Sequence, residues 1–179
     1  MAIEFEIEDG TGKSNATTYV TLAEADQHLE NTGRKTGLWS GNSAKQTAIN
    51  AAFVYMFARW SDQWHGIATY EDEAGDWPRR DAVKRTGFVF GSSEIPAEVK
   101  NAQIEYAYIH LAQGGLILYP EYDDSNRAVT GKTDKVGPLS EARQFSDRSK
   151  PETFRKYPVA DNLIKNLVTG GSETELLRM

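Results

Sequence analysis

Two Gly-Lys-Ser/Thr triplets are the first places where this chain could do chemistry. Gly12-Lys13-Ser14 and Gly131-Lys132-Thr133 each offer the lysine and hydroxyl of a phosphate-cradling loop. Such a loop also needs an earlier glycine, and Ile7 and Asn126 stand at the required positions. Gly10-x-Gly12-x-x-Asn15 likewise lacks the third glycine of a dinucleotide fingerprint. Nucleotide binding is not expected. The histidines, His28, His65 and His110, are scattered without the helical pairing of a catalytic zinc site. Glu71, Asp72, Glu73 and Asp76 could gather a cation but lack the spacing of a calcium loop, and acidic runs in loops are usually just solvated. No Gly-x-Ser-x-Gly elbow occurs. The chain has no cysteine, which removes disulfides, iron–sulfur clusters, thiolate zinc and cysteine nucleophiles together. The expectation is a protein that is not an enzyme, with no catalytic residue, cofactor or metal.

Basic residues interleaved with aromatics suggest a different chemistry, stacking on nucleic-acid bases. Trp77 stands near Arg79 and Arg80, while Phe145, Phe154 and Tyr157 stand near Arg143, Arg155 and Lys156. Against this, Trp60, Trp64 and Trp77 could be core, with the arginines bridging to carboxylates. The formal net charge of -6 and pI of about 5.1 favour that simpler view. Tight nucleic-acid binding is not expected from charge. The charge is nevertheless polarised. Residues 1–31 hold Glu4, Glu6, Glu8, Asp9, Glu24, Asp26 and Glu30 against Lys13 alone. Residues 126–158 hold Arg127, Lys132, Lys135, Arg143, Arg148, Lys150, Arg155 and Lys156 against four acids. That suits head-to-tail docking of copies, or simply two solvated faces.

The elements that position these residues follow from periodicity. Ile3, Phe5 and Ile7 alternate with Glu4, Glu6 and Glu8, the pattern of a half-buried edge strand that could pair with a neighbouring chain or with the 132–145 hairpin. Thr21 and Glu24 form a capping box, which predicts a helix over 22–31 stopped by Gly33. From a cap at Asn42 or Ser43, Ile49, Phe53, Met56, Phe57, Trp60 and Trp64 make one helical stripe, ended by Gly66. Residues 69–94 read as irregular, with a short strand at Phe88-Val89-Phe90. Pro96 opens a third helix to about 113, apolar nearly all round from Ile104 to Ala112. Such a helix is central in the core or covered by another subunit. Lys132–Val136 and Leu139–Phe145 flank Gly137-Pro138 as a hairpin. A last short helix spans Asp161–Val168, and Thr169-Gly170-Gly171 opens a flexible tail. The expected core anchors are Ile49, Phe53, Phe57, Trp60, Trp64, Tyr106 and Leu111.

The 179 residues suffice for one domain, at 39% hydrophobic and 26% charged. Mean hydropathy is -0.57, and no apolar run reaches the ~18 residues of a membrane span. The acidic N-terminus lacks the apolar stretch of a signal peptide. A soluble protein made in a cytoplasm and without membrane contact is expected. The fold class is mainly α, a compact bundle of about four helices with a small β-hairpin and an N-terminal strand, as one domain over 1–168 with a tail at 169–179.

The order of motifs resembles a family of small tailed-phage proteins, the adaptors of the head–tail connector. Related sequences also carry the label of a DnaT-like ssDNA-binding protein. The matching pieces are Glu8-Asp9-Gly10-Thr11-Gly12, Tyr19-Val20-Thr21-Leu22-Ala23-Glu24-Ala25-Asp26, the Trp-rich stretch 43–64, and Trp77-Pro78-Arg79. Then come the run 94–102 beginning Glu94-Ile95-Pro96, Lys135-Val136-Gly137-Pro138-Leu139-Ser140, and the run 157–164 beginning Tyr157-Pro158. Two departures are the added strand Ile3–Ile7 and the acidic insertion 71–76. The resemblance implies a structural virion protein that forms a ring, of twelve copies, between the portal and a stopper or tail completion protein. DNA would pass through its lumen unread. The candidate subunit and portal interface is Ile3, Phe5, Ile7, Arg143, Arg148, Lys150, Arg155, Lys156, Leu176 and Leu177. The alternative is a single-stranded DNA-binding replication accessory protein. A small-molecule or catalytic role has no motif behind it.

Overall fold

The computed structural model describes residues 4–34, 37–41, 43–84, 86–116 and 155–169, and the backbone of 129–135 and 140–145. Among the described residues, four helices and small antiparallel ladders make a mainly helical protein. The chain divides into two compact units, Met1–Leu116 with Tyr157–Met179, and Ile117–Lys156. No described helix is long and apolar enough to cross a membrane.

In the first unit, α1 (Leu22–Asn31) begins at the capping box. The Glu24 amide donates to Thr21 Oγ1 (3.0 Å) and the Thr21 amide to Glu24 Oε2 (2.7 Å). Helix α2 (Lys45–Trp60) starts at Ala44 without a side-chain cap, so Ser43 does not take the expected capping position, and Asn42 lies outside the described residues. It buries Ile49, Phe53, Met56 and Trp60 as the stripe predicts. Two expectations fail here. The helix stops at Trp60 rather than Gly66, where the Ser61 hydroxyl turns back onto the Phe57 carbonyl (2.7 Å). Phe57 is 49% exposed, because the buried arc of α2 runs through Phe53, Met56 and Trp60 and leaves Phe57 at its margin.

Helix α3 (Ala97–Gln113) packs against α1, α2 and α4 (Pro158–Ile164), and so is the central helix. Its buried residues run from Val99 to Ala107, whereas Tyr108, Ile109, His110 and Leu111 are only half-buried. Leu111 is therefore not a core anchor; Tyr106, fully buried, is. Gly114 ends α3 in the left-handed conformation with φ +73°. Helix α4 begins at Pro158, earlier than the expected Asp161, because proline at the first helical position sacrifices no hydrogen bond there. The Asp161 carboxylate accepts the Tyr157 amide (2.8 Å) and secures that start.

Buried polar side chains stitch these helices together. Gln103 accepts the Tyr19 amide (2.9 Å) and donates to Thr18 Oγ1 (3.1 Å) and the Ile49 carbonyl (3.0 Å). Glu105 receives Arg34 (2.5 Å) and lies 3.1 Å from His28 Nε2, which ties α3 to α1. Each group is satisfied, so its burial is affordable.

The N-terminal residues are already paired within the chain. Glu8 N donates to the Thr18 carbonyl and Thr17 N to the Glu6 carbonyl, both at 2.8 Å, with one parallel bridge between Ile7 and Thr18. Within the first unit the partner of this segment is thus the Thr17–Thr18 stretch of the same chain. The irregular stretch holds a two-residue ladder, β1 (Ile67–Ala68) with β2 (Arg79–Arg80), and a single bridge from Val83 to Val89 in place of the expected strand at 88–90. In the second unit, β3 (Val129–Lys135) and β4 (Ser140–Phe145) pair antiparallel, as the hairpin predicts, with a bulge between Val129 and Gly131.

Candidate functional site

The loop after Ile7 is built around one carboxylate. Glu8, 1% exposed, accepts the amides of Gly10 (2.8 Å) and Gly12 (2.9 Å) on one oxygen and of Lys13 (2.6 Å) on the other. The Glu8-Asp9-Gly10-Thr11-Gly12 motif is thus an internal anion nest. Its glycines are required: a Cβ on Gly10, at φ +98°, would sit 2.0 Å from the Ser93 carbonyl oxygen. The nest is already filled by the protein's own carboxylate, so it offers no phosphate site to Gly12-Lys13-Ser14.

Beside it lies a second buried polar group. The Tyr19 hydroxyl accepts the Asp76 amide (2.8 Å), and Asp76 Oδ2 accepts from Trp64 Nε1 (3.0 Å) and Ser61 Oγ (3.2 Å). Burial pushes the Asp76 carboxyl up to about 6, against those two hydrogen bonds. Burial also raises Glu73 to about 7, with Glu8 and Asp76 adding repulsion and Arg79 opposing it. The acidic run 71–76 is thus partly structural. Among the described residues, no group of three His, Asp or Glu side chains could hold a metal ion.

The stacking candidates around Trp77 are corrected. Trp77 is fully buried and packs edge-on against Trp64 and Phe90. Arg79 donates to the carbonyls of His65 (2.9 Å), Gly66 (2.9 Å) and Asp76 (3.2 Å). Tyr157 is buried against Tyr55 and Tyr106 and is no stacking platform either. A tryptophan beside prolines and arginines reads the same in sequence whether it faces a base or the core. Many bases of the helical unit are also matched internally: Lys13 to Glu6 and Asp9, Lys45 to Asp26, Lys84 to Glu94, Lys100 to Glu24.

Phe5 and Ile7 are half-buried in the pairing with Thr17 and Thr18, and Arg155 and Lys156 are exposed. Arg143 takes a register position on β4 directly opposite Lys132, and Asp134 opposite Glu141. Ile3, Arg148, Lys150, Leu176 and Leu177, with the expected tail, lie outside the described residues.

The structure instead reveals apolar surface that periodicity concealed. Val54 and Phe57 share an exposed face of α2, at 65% and 49%. A second group comprises Ile67 (55%), Val83 (42%), Phe88 (73%) and Val89 (57%). Val83 bridges Val89, the neighbour of Phe88, while Ile67 lies on the β1–β2 ladder opposite Arg80. The only sequence signal was that Val83-Lys84 and Phe88-Val89 flank a possible turn at Thr86-Gly87. Exposed apolar groups of this kind mark contact surfaces.

Fold and surface together define a small, mainly helical protein with exposed apolar groups. The chain belongs to the family described as "Putative DnaT-like ssDNA binding protein", whose model matches residues 3–179. No curated protein and no solved structure matches it.

Proposed function

We propose that the protein binds single-stranded DNA through its basic segment 126–158, with the helical unit as scaffold. The observation that carries this is membership, over nearly the whole chain, of a family described by that activity. The hairpin register supports it. Lys132 stands directly across from Arg143, a like-charge pairing that is unfavourable on its own and that a phosphate relieves. Two rungs further on, Asp134 across from Glu141 keeps the ladder from being a plain polycation, which suits moderate, salt-sensitive affinity. Phe145 and Phe154 are the remaining aromatics that could stack on bases. Fluorescence anisotropy with a single-stranded oligonucleotide tests the reading. Binding that weakens steeply with salt, and that Lys132→Glu with Arg143→Glu abolishes, is expected. No binding even at about 50 mM salt, where such contacts are strongest, overturns it.

A second reading is the adaptor ring of a phage head–tail connector, located in the virion neck as a head-completion protein between portal and stopper or tail completion protein, with DNA passing through the lumen. The uncovered Val54 and Phe57 on α2 and the half-buried end of α3 favour it, since a ring would cover both. Light scattering and electron microscopy with the portal separate the readings. A closed ring broken by Phe57→Ser, without oligonucleotide binding, selects the adaptor; a monomer that binds the oligonucleotide selects the first.

A further inference from the structure

Phe88 is the most exposed large apolar side chain among the described residues, at 73%. Three backbone bonds hold its segment in shape: Phe90 N donates to the Ala82 carbonyl (2.9 Å), Lys84 N to the Phe88 carbonyl (2.6 Å) and Gly87 N to the Lys84 carbonyl (2.8 Å). The foot of this segment is fixed in the core. Ala82 and Phe90 are buried, and Phe90 packs edge-on against the fully buried Trp77. An aromatic ring is thus presented to water from a rigid support, an arrangement that marks a contact surface.

The charges around the ring decide what it can hold. Arg79 is occupied by three backbone carbonyls, and Lys84 is paired with Glu94 at 2.9 Å. Arg80 is exposed, beside exposed Asp81, and has no carboxylate partner among the described residues. It stands four residues before Lys84, whose amide is bonded to the Phe88 carbonyl, so at most about 13 Å of extended chain separate the two positions. The site therefore offers one aromatic face and one available cation. Such a site is too weakly charged to grip a polyanion by its phosphates alone. It suits a nucleobase, which stacks on an aromatic ring whatever its sequence, with a single phosphate on the arginine.

We infer that Phe88 is a stacking platform for a base of single-stranded DNA and that Arg80 holds an adjoining phosphate. The inference rests on the single-stranded DNA reading above, and it gives the first unit a base contact in addition to the basic segment. The rigid support matters, because a ring already held in place loses little conformational freedom when a base settles on it.

Fluorescence anisotropy with labelled oligo(dT) and the full chain tests this. Phe88→Ala is expected to weaken binding about tenfold, the scale of one lost base–aromatic stack. The salt dependence stays as in the wild type, because the ring releases no counterions. Phe88→Tyr, which keeps the ring, restores the affinity. Arg80→Gln weakens binding and lowers the salt slope by about one, as the loss of a single phosphate contact should. The four native tryptophans are buried, so Phe88→Trp adds an exposed indole that reports on the site. Oligo(dT) is expected to quench it and shield it from iodide, whereas an abasic strand with the same phosphates leaves it accessible. Equal affinities of Phe88→Ala and the wild type overturn the inference and leave the DNA reading standing. A wild type that binds no oligonucleotide at about 50 mM salt overturns both. Unchanged oligonucleotide binding with a dimer that Phe88→Ala dissociates in light scattering also overturns it, and assigns the ring to a second copy.

Discussion

The Trp60 indole Nε1 donates to the Tyr106 hydroxyl across 3.1 Å, joining α2 to α3 in the interior. The same hydroxyl donates to Asp161 Oδ1 on α4 at 2.5 Å, so one phenol ties three helices. Tyr106→Phe keeps the ring but strands a buried indole N–H and a carboxylate oxygen. The expected cost is about 1–3 kcal/mol in urea unfolding, the penalty for leaving a buried group unsatisfied. An unchanged midpoint would show that water satisfies both groups.

Trp60 and Phe57 give a contrast along one helix. Trp60→Ala is expected to cost roughly 3–5 kcal/mol, the range for truncating a buried large aromatic. Phe57→Ala is expected to cost under about 1 kcal/mol in the monomer, since half of that side chain already faces water. Equal losses would mean the described face of α2 is covered in solution.

The Glu8 nest sets a third expectation. Glu8→Gln keeps the size but removes the charge that gathers three amides, and it turns one acceptor into a donor facing them. A loss of about 1.5–3 kcal/mol is expected, the range for hydrogen bonds to a charged group. Gly10→Ala is expected to be at least as damaging, because its Cβ meets backbone that cannot move aside. Thermal unfolding of both variants checks this.

Asp76 and Glu73 make stability depend on pH in an unusual direction. Their carboxyls are raised from 3.8 to about 6 and from 4.5 to about 7, so the folded state holds protons that the unfolded chain has released. Their contribution is full below about pH 4 and is lost as pH rises through 6 and 7. Asp9, Glu24 and Glu94 are lowered, but they act below their ordinary 3.8 to 4.5. Between pH 5 and 7.5 the midpoint of urea unfolding is therefore expected to fall with rising pH. Asp76→Asn, which can keep the acceptor for Trp64 and Ser61, should flatten that slope. A stability that climbs over this window would contradict the assignment.

Much of the fold was legible because it is local. The Thr21/Glu24 capping box set the start of α1, Gly114 set the end of α3, and the spacing of Ile49, Phe53, Met56 and Trp60 set the buried face of α2. These signals depend on neighbours within a turn or two of helix, where chain geometry leaves few alternatives. Tertiary structure alone decided the rest. Phe57 obeys the same periodicity as Phe53, and only the placement of α3 determines which of them is covered. Trp77 among arginines could equally have faced solvent; contacts with Trp64 and Phe90 place it in the core. Glu4, Glu6 and Glu8 alternate identically in sequence, yet Glu8 alone turns inward, because the loop from Gly10 to Lys13 folds its amides around that carboxylate. Gln103 carried no signal at all, since its partners Thr18, Tyr19 and Ile49 are distant in the chain. Composition and period state what a residue prefers to touch; which of several equivalent residues achieves that contact is settled by the packing of segments far apart in sequence.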